Sequence, residues 1–200
     1  MMKWYILALK KWHTIYLLFV LQKDKIIMLF NQENRKNSEV YISNQGLFSL
    51  KNKDIDELIN KAKLTLRNRV RFCSHHSTDE MVHEMFIVHP RGAYVRPHKH
   101  LNKSESLIII EGEADYVVFD DEGNAKENIP MGDYKSGKSF YQSTRVGAFH
   151  SLLIHSEWLV FLEITQGPFN RKDTVFADWS PIEGEKEEVI EFMEKVKEGI

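Results

Sequence analysis

From Met81 onward the chain is a succession of short β-rich runs, at Met85–Val88, Leu107–Ile110, Tyr116–Phe119, Ser139–Gln142, Leu152–His155 and Trp158–Thr165. Turn-forming clusters separate them: Pro90-Arg91-Gly92, Asp120-Asp121-Glu122-Gly123-Asn124, Pro130-Met131-Gly132-Asp133, Ser136-Gly137 and Gly167-Pro168. Strands this short and this evenly spaced, with no helical period between them, can bury their apolar faces only by packing sheet on sheet. The pattern therefore predicts an all-β sandwich or barrel. A helix is expected before it, at about 54–68, where Ile55, Leu58, Ile59, Ala62 and Leu66 recur at spacings of three and four, with Asn52 or Asp54 as its cap. A second helix is expected from Glu183 to Glu198, with Val189, Met193 and Val196 on one side and Ser180-Pro181 as its start. Val40-Tyr41-Ile42 reads as a short strand.

The balance of residues excludes some partners. A net charge of −2 over 200 residues offers no bulk attraction to nucleic acid or an anionic membrane. One cysteine, Cys73, rules out an internal disulfide framework and permits a reducing compartment, so a cytoplasmic protein is expected. Cys73 itself reads as a small hydrophobe near the core rather than a catalytic thiol.

The start of the chain differs from the rest. Lys3, Lys10 and Lys11 precede a continuously apolar run, Ile15 to Leu21. That run is far short of the about 20 residues that span a bilayer. Gln22-Lys23-Asp24-Lys25 follows it, without the small residues of a signal-peptide cleavage site. The reading favoured over a membrane anchor is that Met28 is the true start and residues 1–27 are an upstream stretch, so no stable membrane insertion is expected. Residues 1–46 count as an N-terminal extension.

Chemistry concentrates in the stretch RPHKHLNKSE, Arg96 to Glu105. Pro97 keeps its surroundings extended. In an extended chain His98 and His100 point to the same side. If Leu101 to Ser104 turns the chain, Glu105 opens the next strand and its carboxylate can join the two imidazoles. His150, behind the glycine turn at Gly147 and at the start of an apolar strand, is the best candidate for a fourth ligand. Imidazoles with a carboxylate suit a divalent transition metal such as zinc, iron, manganese or nickel. By itself the His-x-His pair is weak evidence in a chain with nine histidines. His13, His75, His76, His83, His89 and His155 read as surface or packing residues.

The full spacing says more. Gly92, five residues, His98-x-His100, four residues, Glu105, six residues and Gly112 resembles the first motif of the cupin superfamily at every defined position. Gly147-x-x-His150 is similar to the core of the second motif, with Arg145 and Ile154 standing where proline and asparagine are usual. The chain further resembles the WbuC family of cupin metalloproteins. The resemblance rests on Tyr94-x-Arg96-Pro97-His98-x-His100, Arg67-x-Arg69, Phe119 to Gly123, Glu163 to Pro168 and Phe176 to Pro181. It covers roughly Leu47 to Pro181, taken as the domain, and leaves 182–200 to the terminal helix.

This resemblance implies a mainly β fold, a cupin double-stranded β-helix (jelly roll) with an N-terminal and a C-terminal helix. It also implies a metal held by His98, His100, Glu105 and His150, and a setting in bacterial surface polysaccharide biosynthesis (O-antigen or capsule). A small-molecule ligand, a sugar or sugar nucleotide, follows from that setting, and a homodimer from the habit of cupins to associate through an outer sheet.

The candidates for catalysis are Arg96, Tyr94, Tyr141 and Glu163. Strand parity places Arg96 and Tyr94 on the face of the histidines. There Arg96 either pairs with Glu163 or receives an anionic substrate, since burying it unpaired is costly. Tyr94 and Tyr141 either serve a sugar hydroxyl or are packed aromatics. Arg67 and Arg69 read as a solvated helix end rather than a phosphate site. The expected function is a metal-dependent isomerase or epimerase on a sugar nucleotide. The alternatives are a non-catalytic metal- or sugar-binding protein and a metal-dependent dioxygenase.

Overall fold

Between Glu105 and Ile109 every second side chain is buried. Inward positions carry Leu107 and Ile109, outward ones Ser106, Ile108 and the partly exposed Ile110. That alternation marks a strand with one face on a core. In the computed structural model, which describes residues 30–200, this strand belongs to one of two packed sheets. The basic and apolar segment 1–27 and the start at Met28 lie outside the described residues.

The strands, in chain order, are β1 (Val40–Ile42), β2 (Val70–Cys73), β3 (Val82–Pro90), β4 (His98–His100), β5 (Glu105–Glu111), β6 (Glu113–Phe119), β7 (Ala125–Gly132), β8 (Tyr141–Thr144), β9 (Phe149–Ile154), β10 (Trp158–Gln166) and β11 (Thr174–Phe176). Helix α1 (Asn52–Ala62) precedes β2, and α2 (Lys186–Glu198) closes the chain. A six-stranded sheet runs β1-β2-β3-β10-β5-β8 and a five-stranded sheet β11-β4-β9-β6-β7. Apart from the parallel pair β1–β2, neighbouring strands are antiparallel. The chain crosses between the sheets at β4–β5, which is the jelly-roll arrangement of a double-stranded β-helix.

The core between the sheets includes Met85, Leu107, Ile109, Tyr116, Met131, Leu152, Leu159 and Phe161. Each helix covers an outer face. Ile55, Leu58, Ile59 and Ala62 of α1 are buried, and the helix packs on β2 and β3. Met193 and Val196 of α2 join Tyr94, Val117, Phe119, Phe149 and Leu153 on the outside of the five-stranded sheet.

Both helices are shorter than their periodicity predicts. The first ends at Ala62 because the Thr65 hydroxyl competes for the backbone, donating to the Ala62 carbonyl and accepting from the Arg69 N–H at 3.0 Å each. Leu66, expected on the apolar side, is 98% exposed. At the other end, Ser180-Pro181 does not start a helix. The Ser180 hydroxyl donates to the Ala177 carbonyl at 2.8 Å, the Pro181 carbonyl accepts from Tyr94, and α2 begins at Lys186.

Strand β7 went unrecognised because Pro130-Met131-Gly132 reads as a turn. It is an edge strand, where a proline without an N–H costs no ladder bond.

Candidate metal centre

His98 and His100 lie on β4 with Lys99 between them facing the other way, its ammonium 2.8 Å from Asp121. His98 sits directly opposite His150 of β9. The turn Leu101 to Ser104 is tied down at both ends. The Leu101 N–H donates to the Asp173 carbonyl at 2.9 Å, and the Ser104 N–H to the Gln166 side chain at 3.1 Å. The chain thereby passes to the other sheet, where Glu105 opens β5. Gly147, in the left-handed region at φ +92°, donates its N–H to the His100 carbonyl at 2.8 Å and sets the level at which His150 enters. One potential ligand atom from each of His98, His100, Glu105 and His150 lies within 4.8 Å of the other three.

Burial and hydrogen bonding suit this cluster to a divalent cation. His100, Glu105 and His150 are buried and His98 is half-buried. Two rings donate their Nδ1–H to backbone carbonyls 2.9 Å away, His98 to Arg96 and His150 to Ala148. A carbonyl only accepts, so the proton sits on Nδ1 and the Nε2 lone pair is free. For His150 that lone pair faces Glu105 Oε1 at 3.4 Å, buried and without a hydrogen bond. Two electron-rich atoms facing each other in a dry site need a cation between them, and the donor set meets that need.

The charges agree. Burial and the neighbouring His150 push His98 down to about 4, so it stays neutral and able to ligate. Burial opposes ionisation of Glu105, but the hydrogen bond from His100 and the surrounding imidazoles outweigh it and hold the carboxyl below its usual range.

Tyr116 and Thr174, which the sequence reading passed over, support the cluster. Tyr116 stacks on His150 with ring centroids 5.4 Å apart, and its hydroxyl meets that of Thr144 at 2.5 Å. Thr144 is the cross-strand partner of Glu105. Thr174 Oγ1 lies 3.2 Å from His100 Nδ1. Tyr116 was within reach of strand alternation, whereas Thr174, in a three-residue strand, carries no pattern of its own.

The four candidates for catalysis fare differently. Arg96 does not pair with Glu163. Its guanidinium donates to Ser180 Oγ at 3.1 Å and to the Ala177 and Ser180 carbonyls at 3.1 and 3.2 Å. The parity argument fails because residues 93–97 are outside any strand, so the alternation is not carried from His98 back to Arg96. Ala93 and Val95 pack on the inner core, while Tyr94 joins the aromatic cluster under α2 and donates to the Pro181 carbonyl at 3.0 Å. Burial pushes its hydroxyl up. Tyr141 is 49% exposed and shares a hydrogen bond with Ser106 on the outside of the six-stranded sheet.

Glu163 alone faces the interior near the cluster. It pairs with Leu107, while its neighbour Thr165 pairs with Glu105, so the two carboxylates are diagonal on one face. Burial, then the charge of Glu105, pushes Glu163 up to about 8. Arg67 and Arg69 are occupied in ion pairs with Glu39 and Glu183. A cleft of about 590 Å³ involving Phe48, Ile55, Phe86 and Leu162 lies on the outer face of the six-stranded sheet, away from these groups.

The family described as a domain of unknown function, DUF6016, matches residues 50–131. Among curated proteins nothing matches the chain. Similar solved structures include a protein from Shewanella oneidensis, at 13% identity over 60% of this chain and 82% of that one, with a TM-score of 0.48. They also include Bacillus subtilis oxalate decarboxylase, described with Mn(II) centres, at 22% identity, 48% and 24% coverage and a TM-score of 0.40. CapF, solved with the inhibitor 3-isopropenyl-tropolone, is similar at 15% identity, 54% and 31% coverage and a TM-score of 0.43. The chain spans about a quarter of the length of the oxalate decarboxylase it matches.

Proposed function

We propose that this chain is a metal-dependent cupin enzyme of the WbuC type, its domain taken as residues 47–181. In this proposal it acts on a sugar or sugar nucleotide in bacterial surface polysaccharide biosynthesis. The observation that carries the reading is the buried three-histidine, one-carboxylate cluster with an inward-facing carboxyl, Glu163, beside it. A divalent ion held by His98, His100, Glu105 and His150 would supply Lewis-acid polarisation of a carbonyl or hydroxyl. Burial holds a proton on Glu163 near neutral pH, which supports it as the group that exchanges one with a ligand. Phe176, directly opposite His98 and 48% exposed, offers a ring at the approach to the cluster. The WbuC-like motifs support the sugar context. The exposed Ile110, Phe140 and Tyr141 support association of two copies.

A second reading, a non-catalytic binding protein, draws on the placement of Tyr94, Arg96 and Tyr141, which leaves a single proton-exchanging candidate beside the cluster. Elemental analysis of purified protein decides the first step. A bound divalent metal is expected, and its loss from His98→Ala and Glu105→Ala. Full occupancy in both variants would refute the ligand assignment, and iron as the native metal would revive the dioxygenase alternative. Metal-loaded protein incubated with a panel of nucleotide sugars and followed by proton NMR then separates the readings. Conversion supports the enzyme, line broadening without conversion the binding protein, and neither effect overturns the sugar assignment. Sedimentation of the same preparation checks the dimer.

A further inference from the structure

The segment Thr174 to Pro181 lies along the open edge of β4. Thr174 is the cross-strand partner of His100 and Phe176 that of His98. The Ala177 N–H donates to the Pro97 carbonyl at 2.9 Å. Arg96 fastens the far end of the segment through its three bonds to Ala177 and Ser180, and its guanidinium lies 5.2 Å from the Phe176 ring centre. The backbone carbonyl of Arg96 also receives the Nδ1–H of His98. One residue thus touches the support of two ligands. Its main-chain carbonyl holds His98, and its side chain holds the strap whose Thr174 meets His100.

We infer that Arg96 and Thr174 are positioning residues, and that the strap from Thr174 to Ser180 sets the orientation and the proton placement of His100. The inference rests on the metal reading above and goes beyond it, because it assigns the cluster's affinity to residues that are not ligands.

The partner of each Nδ1 decides the matter. His98 and His150 face carbonyls, which fix their proton on Nδ1. His100 faces a hydroxyl, which both donates and accepts. Here His100 donates its Nε2–H to Glu105 Oε2, 3.0 Å away, and Nδ1 accepts from Thr174. With Nε2 given over to a cation, the ring would carry its proton on Nδ1, and the same hydroxyl would be the acceptor. Thr174 therefore serves both states of the ring without moving, provided Arg96 holds the strap in place. Groups that orient ligating histidines typically contribute 10–100-fold to metal affinity.

The test uses the full chain, with Zn²⁺ affinity read by competition with a chromophoric chelator. Thr174→Val removes the hydroxyl while keeping the shape, and is expected to weaken Zn²⁺ binding about 10–100-fold. Thr174→Ser is expected to restore it. Arg96→Ala should weaken binding similarly, and the double variant Arg96→Ala/Thr174→Val should lose about as much as the weaker-binding single variant, well short of the two losses multiplied. ¹⁵N NMR of the His100 ring should place its proton on Nε2 without metal and on Nδ1 with it. Wild-type affinity in Thr174→Val, or multiplicative losses in the double variant, would overturn the strap's role. Should Arg96→Ala fail to fold, the Thr174 pair and the ring spectra decide alone. A wild-type protein that binds no Zn²⁺ or other divalent ion would refute the metal reading itself, a result distinct from unaltered affinity in the variants.

Discussion

Glu163 shows how far the environment of one residue departs from its intrinsic chemistry. A free glutamate ionises near 4.5, whereas burial and the diagonal Glu105 push this one up to about 8. The sign of the consequence follows from linkage. The folded chain without metal retains a proton that the unfolded chain gives up above about pH 4.5. The contribution of Glu163 is therefore fully present below that pH, and is lost progressively as the pH rises through the folded value. Glu163→Gln keeps the shape and hydrogen-bonding capacity but cannot ionise. Thermal melts in the presence of a chelator are expected to show the variant gaining stability over wild type at pH 8 and little at pH 5. A difference independent of pH between those values would show that Glu163 is not held neutral by the fold. Lys103 and Arg71 partly offset the shift. The sequence marks Glu163 as a candidate, but not its diagonal to Glu105. Its parity was visible, but the partner assigned to it, Arg96, lies in a stretch where parity does not hold.

At the scale of elements, the corner where the chain passes from β5 in one sheet to β6 in the other carries the last glycine of the first motif. Gly112 sits at φ +92°, and a Cβ there would come within 2.3 Å of the Trp158 carbonyl oxygen and 2.4 Å of Ser156 Oγ. Both restraints act against any side chain. Gly112→Ala is expected to destabilise the protein by at least about 1–3 kcal/mol, the cost of a non-glycine residue in such a backbone region before the collision is counted. Denaturant titration checks this, and a loss under about 0.5 kcal/mol, the range of an ordinary surface substitution, would mean that the corner re-forms with another turn. The spacing made this element legible because a glycine at a fixed distance from two histidines and a glutamate reflects two successive crossings between sheets, β4 to β5 and β5 to β6. The strap was not legible. Strand β11 is three residues long, too short for alternation to show, and its role depends on Arg96, 78 positions earlier than Thr174 in the chain. Strand β7 was hidden by Pro130, and the ends of both helices by side-chain hydrogen bonds that periodicity does not register.

Across the whole molecule, several histidines are kept neutral by the fold, and they make the metal-free protein sensitive to acid. Burial lowers His98 to about 4 and His89 to about 3, and it lowers His75, which stacks on His83 with ring centroids 4.2 Å apart. In the unfolded chain such rings take up protons near pH 6.5. Between that pH and the folded values the unfolded state binds more protons, so stability is complete above about 6.5 and falls as the pH drops toward 4 and then 3. Glu163 acts in the opposite direction, and its contribution grows as the pH falls below 8, which moves the optimum of the metal-free protein to the acid side of neutrality. A bound cation changes this balance at its centre, because it occupies the Nε2 lone pair that a proton would otherwise take. Binding to the folded state alone adds stability that scales with the logarithm of free metal over Kd. Protons compete for the same rings, so that addition weakens as the pH falls. Chemical denaturation from pH 7 to 4 is therefore expected to give a chelator curve that descends once the pH falls below its slightly acidic optimum, and a curve with saturating Zn²⁺ that lies above it and converges with it at low pH. His98→Gln should flatten the chelator curve between about 6.5 and 4, because it removes one of the rings that the fold keeps uncharged. A chelator curve unchanged by that substitution would show that His98 titrates normally, and would remove the electrostatic reason for regarding it as a ligand held ready for metal.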